Sequence, residues 1–187
     1  RRRLFMENLN SLHVKAVRGS DSEQGQLRKR WKKSPQLFQQ DAEVVGYYSN
    51  LLLDLGDKEE AVKVIEHALG RCWNADLIRQ YGATEYDSHS RQLLVAEGWL
   101  KSRPADAELL LTLARLCMRE RLWGKAREYY EASLRIKPIV SAFGELGRML
   151  KQLGEMEASE SCLRRYDEMI GGQLLNLPMP EKDRQVS

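Results

Sequence analysis

The chain is short of the residues on which many specialised folds depend. Its three cysteines, Cys72, Cys117 and Cys162, are odd in number and widely spaced, which argues against a disulfide framework. Each lies in a helical context and reads as a buried structural thiol. The three histidines, His13, His67 and His89, never stand at ligand spacing from a cysteine or from one another, so a zinc site is not expected. No C-x-x-C-H motif exists for covalent haem attachment, and no Cys-Pro dipeptide occurs. Glycine-rich phosphate loops and the G-x-S-x-G elbow are missing. No apolar run of about 18 residues is present, which excludes a spanning helix within this stretch. The opening RRRLFMENLNSLHVKAVRG has charge but no apolar signal-peptide core and no initiator methionine, so it reads as the start of a piece of a longer protein. Five prolines and 7% aromatics do not suit an all-β sandwich.

What is present favours helices. Apolar residues reach 42% and charged residues 30%, with Leu, Ala, Glu, Arg and Lys prominent. The net charge of +3 is unevenly spread: residues 1–33 hold ten Lys/Arg against three acids, a net of +7, and the rest of the chain carries −4. Acid pairs such as Glu59-Glu60 and Glu155/Glu157 fall at expected helix starts, where carboxylates suit the helix dipole and need no catalytic explanation. His67 is expected on a solvated outer face. His89 falls in an irregular loop, solvated or capping it.

Self-similarity organises the chain. The stretch Ala107–Pro138 resembles a tetratricopeptide (TPR) repeat, with Leu110, Leu113-Ala114, Cys117, Ala126, Tyr130 and Ser133 in the signature slots and Pro138 as the stop. Ala42–Trp73 repeats the pattern through Val45, Tyr48-Ser49, Leu52, Gly56, Ala61, Ile65 and Ala68. Ser141–Tyr166 repeats it through Phe143, Leu146-Gly147, Leu150, Gly154, Ser159 and Leu163. Between the first two lies an irregular copy with a short helix at 75–81, a loop at 82–88 and a second helix at 90–103. Small residues at Ala61, Ala126 and Ser159 allow close helix crossings, while Gly56 and Gly154 supply left-handed caps. A pair of helices cannot bury its own apolar stripe, so repeats must stack. The expected fold is all-α, a TPR-like right-handed superhelix. Its parts are a basic, degenerate helical pair at 1–33 acting as a cap, repeats at 34–73, 74–104, 105–138 and 139–170, and a tail at 171–187. Ser34-Pro35 is expected to open a long helix. Leu174, Leu175 and Leu177 either cover the last repeat or belong to an untethered tail.

In such a superhelix the first helices line a concave face. Counting slots places Tyr47, Asn50, Arg79, Leu111, Arg115, Met118, Arg119 and Arg148 in that groove. Arginines beside apolar surface suit an extended acidic-apolar peptide. Gly46 stands where a carboxylate clamp wants its first lysine, so that clamp is not expected. The basic run QLRKRWKK supplies Arg28, Lys29, Arg30, Lys32 and Lys33. It reads as a solvated helix with Trp31 docked on the first repeat, as a membrane-surface patch, or, least favoured, as a nucleic-acid patch. No nucleic-acid partner is expected.

The run WLKSRPADAELLLTLARLCMRERLWGKAREYYEASLRIKP, with QGQLRKRWKKSP and LGEMEAS, is similar to the C-terminal region of the HemY family, proteobacterial inner-membrane proteins associated with haem biosynthesis. The resemblance spans about residues 24–170 and is distinct from the flavin-dependent oxidase of the same name, since no flavin-binding motif occurs here. It implies a membrane anchor absent from this stretch, TPR repeats held at the bacterial inner membrane on the cytoplasmic side, and a link to haem or porphyrin metabolism. The expectation is a non-enzymatic scaffold without a cofactor, holding a protein partner, either an extended peptide or a haem-biosynthesis enzyme. The alternative is a direct haem or tetrapyrrole binder or enzyme, using His89, His67, Tyr47 or a cysteine. Oligomeric state is left open.

Overall fold

A computed structural model describes residues 1–18, 21–85 and 88–171. All regular structure among them is helical, and the chain divides into two compact units, 1–137 and 138–187. The first unit contains α1 (Arg2–Arg18), α2 (Asp21–Lys32), α3 (Gln36–Gln40), α4 (Ala42–Asp54), α5 (Lys58–Arg71), α6 (Ala75–Ala83), α7 (His89–Leu100), α8 (Ala107–Arg119) and α9 (Trp123–Ile136). The second unit contains α10 (Val140–Gln152) and α11 (Met156–Gly171).

Helices α4–α5, α8–α9 and α10–α11 form hairpins, and the sequence explains their turns. Gly56 (φ 78°) and Gly154 (φ 83°) end α4 and α10 in the left-handed region. The amides after them, of Asp57 and Glu155, donate to Leu52 and Leu150, closing Schellman-type caps. The third hairpin makes the same turn with Arg121 at φ 57°, and Leu122 N–H donates to Cys117 at 2.9 Å. An arginine stands there where its two counterparts have glycine.

The first helices of the first unit share another device. Asp41, Asn74 and Asp106 each accept hydrogen bonds from the second and third helical amides of α4, α6 and α8. Each is followed by alanine and an acid: DAE, NAD and DAE. Ile139 precedes α10 without any side-chain cap.

Hairpin cores cross closely at small residues. In α4–α5, Ser49 Oγ donates to Ala61 O at 3.2 Å. In α10–α11 the direction reverses across the same crossing, Ser159 Oγ donating to Gly147 O at 2.8 Å. In α8–α9, Ser133 Oγ reaches Ala107 O at 2.8 Å. These buried hydroxyls satisfy themselves on backbone carbonyls, so a polar group costs little at the tightest contact.

Helices α1 and α2 pack together, and α1 lies on α4. Phe5, Leu9, Ala16 and Leu27 are its buried core. Phe5 stacks on Phe38 at 4.6 Å and Trp31 on Tyr48 at 4.2 Å. The long helix expected from Ser34-Pro35 is not formed. Ser34 instead donates its hydroxyl to Trp31 O at 2.6 Å, closing the end of α2, and Asp41 breaks α3 from α4 because its side chain caps the latter. The buried-thiol expectation also fails at one position: Cys117 is buried and Cys162 half-buried, but Cys72 is exposed at the end of α5. The tail leucines lie outside the described residues.

The irregular copy is held by side chains. Gln92 of α7 donates to Tyr81 O at 3.1 Å and reaches Thr84 O, holding the end of α6. Tyr81 Oη lies 2.9 Å from Glu66, which also takes a two-pronged contact from Arg91. Trp73 and Tyr81 both meet Trp99 edge-on, Arg103 lies over Trp73 at 4.3 Å, and Trp73 Nε1 donates to Asp106 at 2.7 Å. The W-L-K-x-R-P-x-D part of the distinctive run thus supplies the clasp that joins this copy to the next.

Candidate groove and basic surface

Within the first unit, α6 lies against both α4 and α8, so the three first helices run side by side. The α6–α8 crossing is tight. A Cβ on Gly82 would come within 2.7 Å of Thr112 Oγ1 and 3.1 Å of its backbone, while Thr112 donates to Ile78 O at 2.8 Å.

The expected groove residues are unevenly available. Tyr47 is half-buried and Asn50 exposed on α4, with Asn50 Oδ1 accepting from Gln80 Nε2 at 2.8 Å. The same amide donates to Gly46 O at 3.0 Å, and the Gln80 side chain fills the place of a Gly46 side chain. Arg79 donates to both Glu108 oxygens, at 2.9 and 3.3 Å, and to Asp76 at 3.0 Å. The Glu108 hydrogen bond, with Asp76 adding to it, raises the Arg79 pKa further. Arg119 reaches Ala83 O at 3.1 Å, and Arg115 and Met118 are half-buried on α8. Arg148 is exposed on α10 of the second unit.

Leu111 is a correction. It is 1% exposed and belongs to the core rather than to a groove surface. Slot counting assumes that each first helix keeps one face open, but α8 has α6, α7 and α9 packed around it and is buried without interruption from Ala107 to Ala114. Gln80 and Gln92 were not singled out by sequence pattern. The cap series DAE, NAD, DAE gives the register that would have placed Gln80 over the preceding α4.

The basic run also divides. Arg28 pairs with Asp57 at 2.6 Å, and Arg30 donates to Asn8 at 2.9 Å while lying 5.1 Å from the Phe5 ring centre. Lys29, Lys32 and Lys33 remain exposed. Trp31 is docked on Tyr48, as one reading of this segment expected. Burial, with Glu60 adding to it, pushes the Tyr48 phenol well above its ordinary pKa. A cavity of about 290 Å³ between Arg28, Lys32, Glu59 and Lys63 carries charges of both signs.

His67 is exposed and His89 half-exposed. Among the described residues no three His, Cys, Asp or Glu side chains group as metal ligands, and no helix is long and apolar enough to cross a membrane.

A tetratricopeptide-repeat family model matches residues 48–72 and 140–170. No curated protein matches the chain. Solved structures of MamA are similar in fold. MamA 41-end from Desulfovibrio magneticus RS-1 is 18% identical with a TM-score of 0.58, covering 90% of this chain and 97% of its own. A MamA RS-1 ArsTM double mutant is 20% identical with a TM-score of 0.57, covering 90% and 96%. A further MamA crystal structure is 15% identical with a TM-score of 0.57, covering 79% and 88%. The matched repeats and the helical hairpins agree on the fold, an α-solenoid of tetratricopeptide-repeat type.

Proposed function

We propose that the chain is a non-enzymatic scaffold that holds a protein partner along its first helices. The observation that carries this reading is the row α4, α6, α8, a side-by-side set of helices bearing Tyr47, Asn50, Arg115 and Met118 on a repeat fold suited to peptide capture. The HemY resemblance supports a finer reading: a scaffold at the bacterial inner membrane, repeats on the cytoplasmic side, organising enzymes of haem or porphyrin biosynthesis. The exposed Lys29, Lys32 and Lys33 are consistent with an anionic membrane surface nearby.

Co-purification from membranes with the full-length protein tests it. Arg115→Glu with Met118→Ala, and separately Tyr47→Ala with Asn50→Ala, should remove the partner while helical content by circular dichroism is kept. A partner retained by both folded pairs would sink the groove assignment. Absence of haem-biosynthesis enzymes from the captured set would remove the finer reading alone.

A further inference from the structure

Among the described residues the two most exposed large apolar side chains stand at one end of the basic cap. Leu37 on α3 is 75% exposed and Leu4 on α1 is 74% exposed. The ring of Phe5 gathers this end. Phe38 stacks on it at 4.6 Å, and the Arg30 guanidinium of α2 lies 5.1 Å from its centre. Leu4 precedes Phe5 and Leu37 precedes Phe38, and each leucine is exposed where the aromatic beside it is buried or half-buried. On α2, Lys29 and Lys33 stand one turn apart and share an outer face with Arg30. The start of α1, the end of α2 and α3 thus meet around one ring, and together they present two leucines and three cations.

The charge at this end does not cancel. Arg30 donates to the neutral amide of Asn8, and among the described residues no acid pairs with Lys29, Arg30 or Lys33. The acids nearby have their own cations: Arg3 pairs with Glu7, and Arg2 with Asp41 and Glu43. With Arg1, also exposed, six Lys/Arg stand against three acids. Lys32 stays outside this count because it lines the cavity that holds Glu59 and Glu60. Exposed leucines among unpaired cations match a surface that is anionic outside and apolar beneath, lipid headgroups over acyl chains. A single-stranded nucleic acid needs rings open to stack on its bases, but Phe5 and Phe38 are stacked on each other and Trp31 on Tyr48. We propose that Leu4 and Leu37, flanked by Lys29, Arg30 and Lys33, seat the cap on an anionic lipid bilayer, the leucines entering the headgroup boundary and the cations meeting lipid phosphates. This deepens the membrane part of the proposed function and rests on the reading that the chain works at a membrane.

Co-sedimentation of the full chain with phosphatidylcholine vesicles, with and without phosphatidylglycerol, tests this. Binding should require phosphatidylglycerol and fall as salt rises. Lys29→Glu with Lys33→Glu should weaken it at least about tenfold, since each cation near an anionic surface is worth a factor of about five. Leu4→Ser with Leu37→Ser should weaken it at least about tenfold as well, through lost apolar burial. Arg135→Glu with Lys137→Glu makes the same change of charge on exposed residues near the end of α9 and should bind as the parent does. All the substituted side chains are exposed, so circular dichroism should be unchanged. Equal binding with and without phosphatidylglycerol would overturn the surface, as would a leucine or lysine pair that binds as the parent does. So would an equal loss in the Arg135 and Lys137 pair, since net charge alone would then explain binding. Duplex RNA held more tightly than the vesicles, and lost on the lysine pair but not the leucine pair, would make nucleic acid the occupant instead. Vesicles left unbound would remove this surface alone: the membrane reading falls only if the full-length protein fractionates away from membranes, and the groove only by the co-purification above.

Discussion

Single residues carry much of the repeat's geometry, and Arg121 is where the chain departs from its own pattern. A left-handed residue with a side chain costs about 1–2 kcal/mol, while glycine loses roughly 0.5–1 kcal/mol more backbone entropy on folding. Arg121→Gly should therefore stabilise the fold by about 0.5–1 kcal/mol, seen as a higher urea midpoint with an unchanged slope. A lower midpoint would mean that the arginine makes contacts worth more than its strain. Cys117 gives a pH signature of the same scale. Burial first, and then Glu97, push its thiol from 9.0 up to about 11. The folded state thus holds the proton more tightly than the unfolded one. The associated stability is complete below about pH 9 and is lost as pH rises toward 11. Denaturation across that window should show stability falling with pH, and Cys117→Ala should flatten the slope even though its cavity lowers stability at every pH. A slope unchanged by the substitution would assign the alkaline loss to the buried tyrosines instead.

At the scale of elements, what was legible was the hairpin and what was not was its neighbourhood. Gly56 and Gly154 announced their turns because the left-handed conformation selects glycine. Ala61 and Ser159 announced close crossings for an equally local reason. Leu111 was misplaced because its burial depends on how many helices surround α8, which a repeat slot does not record. The continuous helix expected after Pro35 failed because Asp41 serves α4 better as a cap than as an interior residue. Tyr47 and Asn50 lie on α4, half-buried and exposed, yet the Gln80 amide over Gly46 is not legible from either copy alone. The α6–α8 crossing is the strictest of these element contacts. Gly82→Ala would force its new methyl against Thr112, backbone included, and α6 would have to move off α8. Overpacking of this kind costs about 1–3 kcal/mol. The expected result is a urea midpoint lower by that amount, restored only in part when Thr112→Ala removes the obstructing side chain, because the contact with the Thr112 backbone stays. Equal losses in the single and double variants would show that the glycine is needed for another reason.

At the scale of the molecule, a stack of repeats needs its first exposed face closed, and the packing of α1 on α4 predicts that the basic helical pair does this for the first unit. Its apolar residues point inward: Phe5 stacks on Phe38, Trp31 on Tyr48, and Leu9 and Leu27 are fully buried. Ion pairs at Arg2 with Asp41 and Arg28 with Asp57 fix the pair against α4 and the start of α5. Both arginines are about half exposed, so these pairs add little beyond orientation. The stabilisation lies mainly in the aromatic contacts, each large side chain contributing about 1.5–3 kcal/mol by burial. The +7 charge of this segment is then an outer coat on a structural cap rather than evidence that the segment is detachable. Deleting residues 1–33 should lower unfolding stability by at least about 3 kcal/mol on that basis. It should also reduce the denaturant slope, because less surface is buried, and render Tyr48 accessible to solvent. Comparing urea unfolding of the full chain with that of residues 34–187, and the alkaline difference spectrum of their tyrosines, would measure both effects. An unchanged midpoint and slope, with the same number of tyrosines resisting ionisation, would mean that the repeats close their own end and that the basic pair is free for another task.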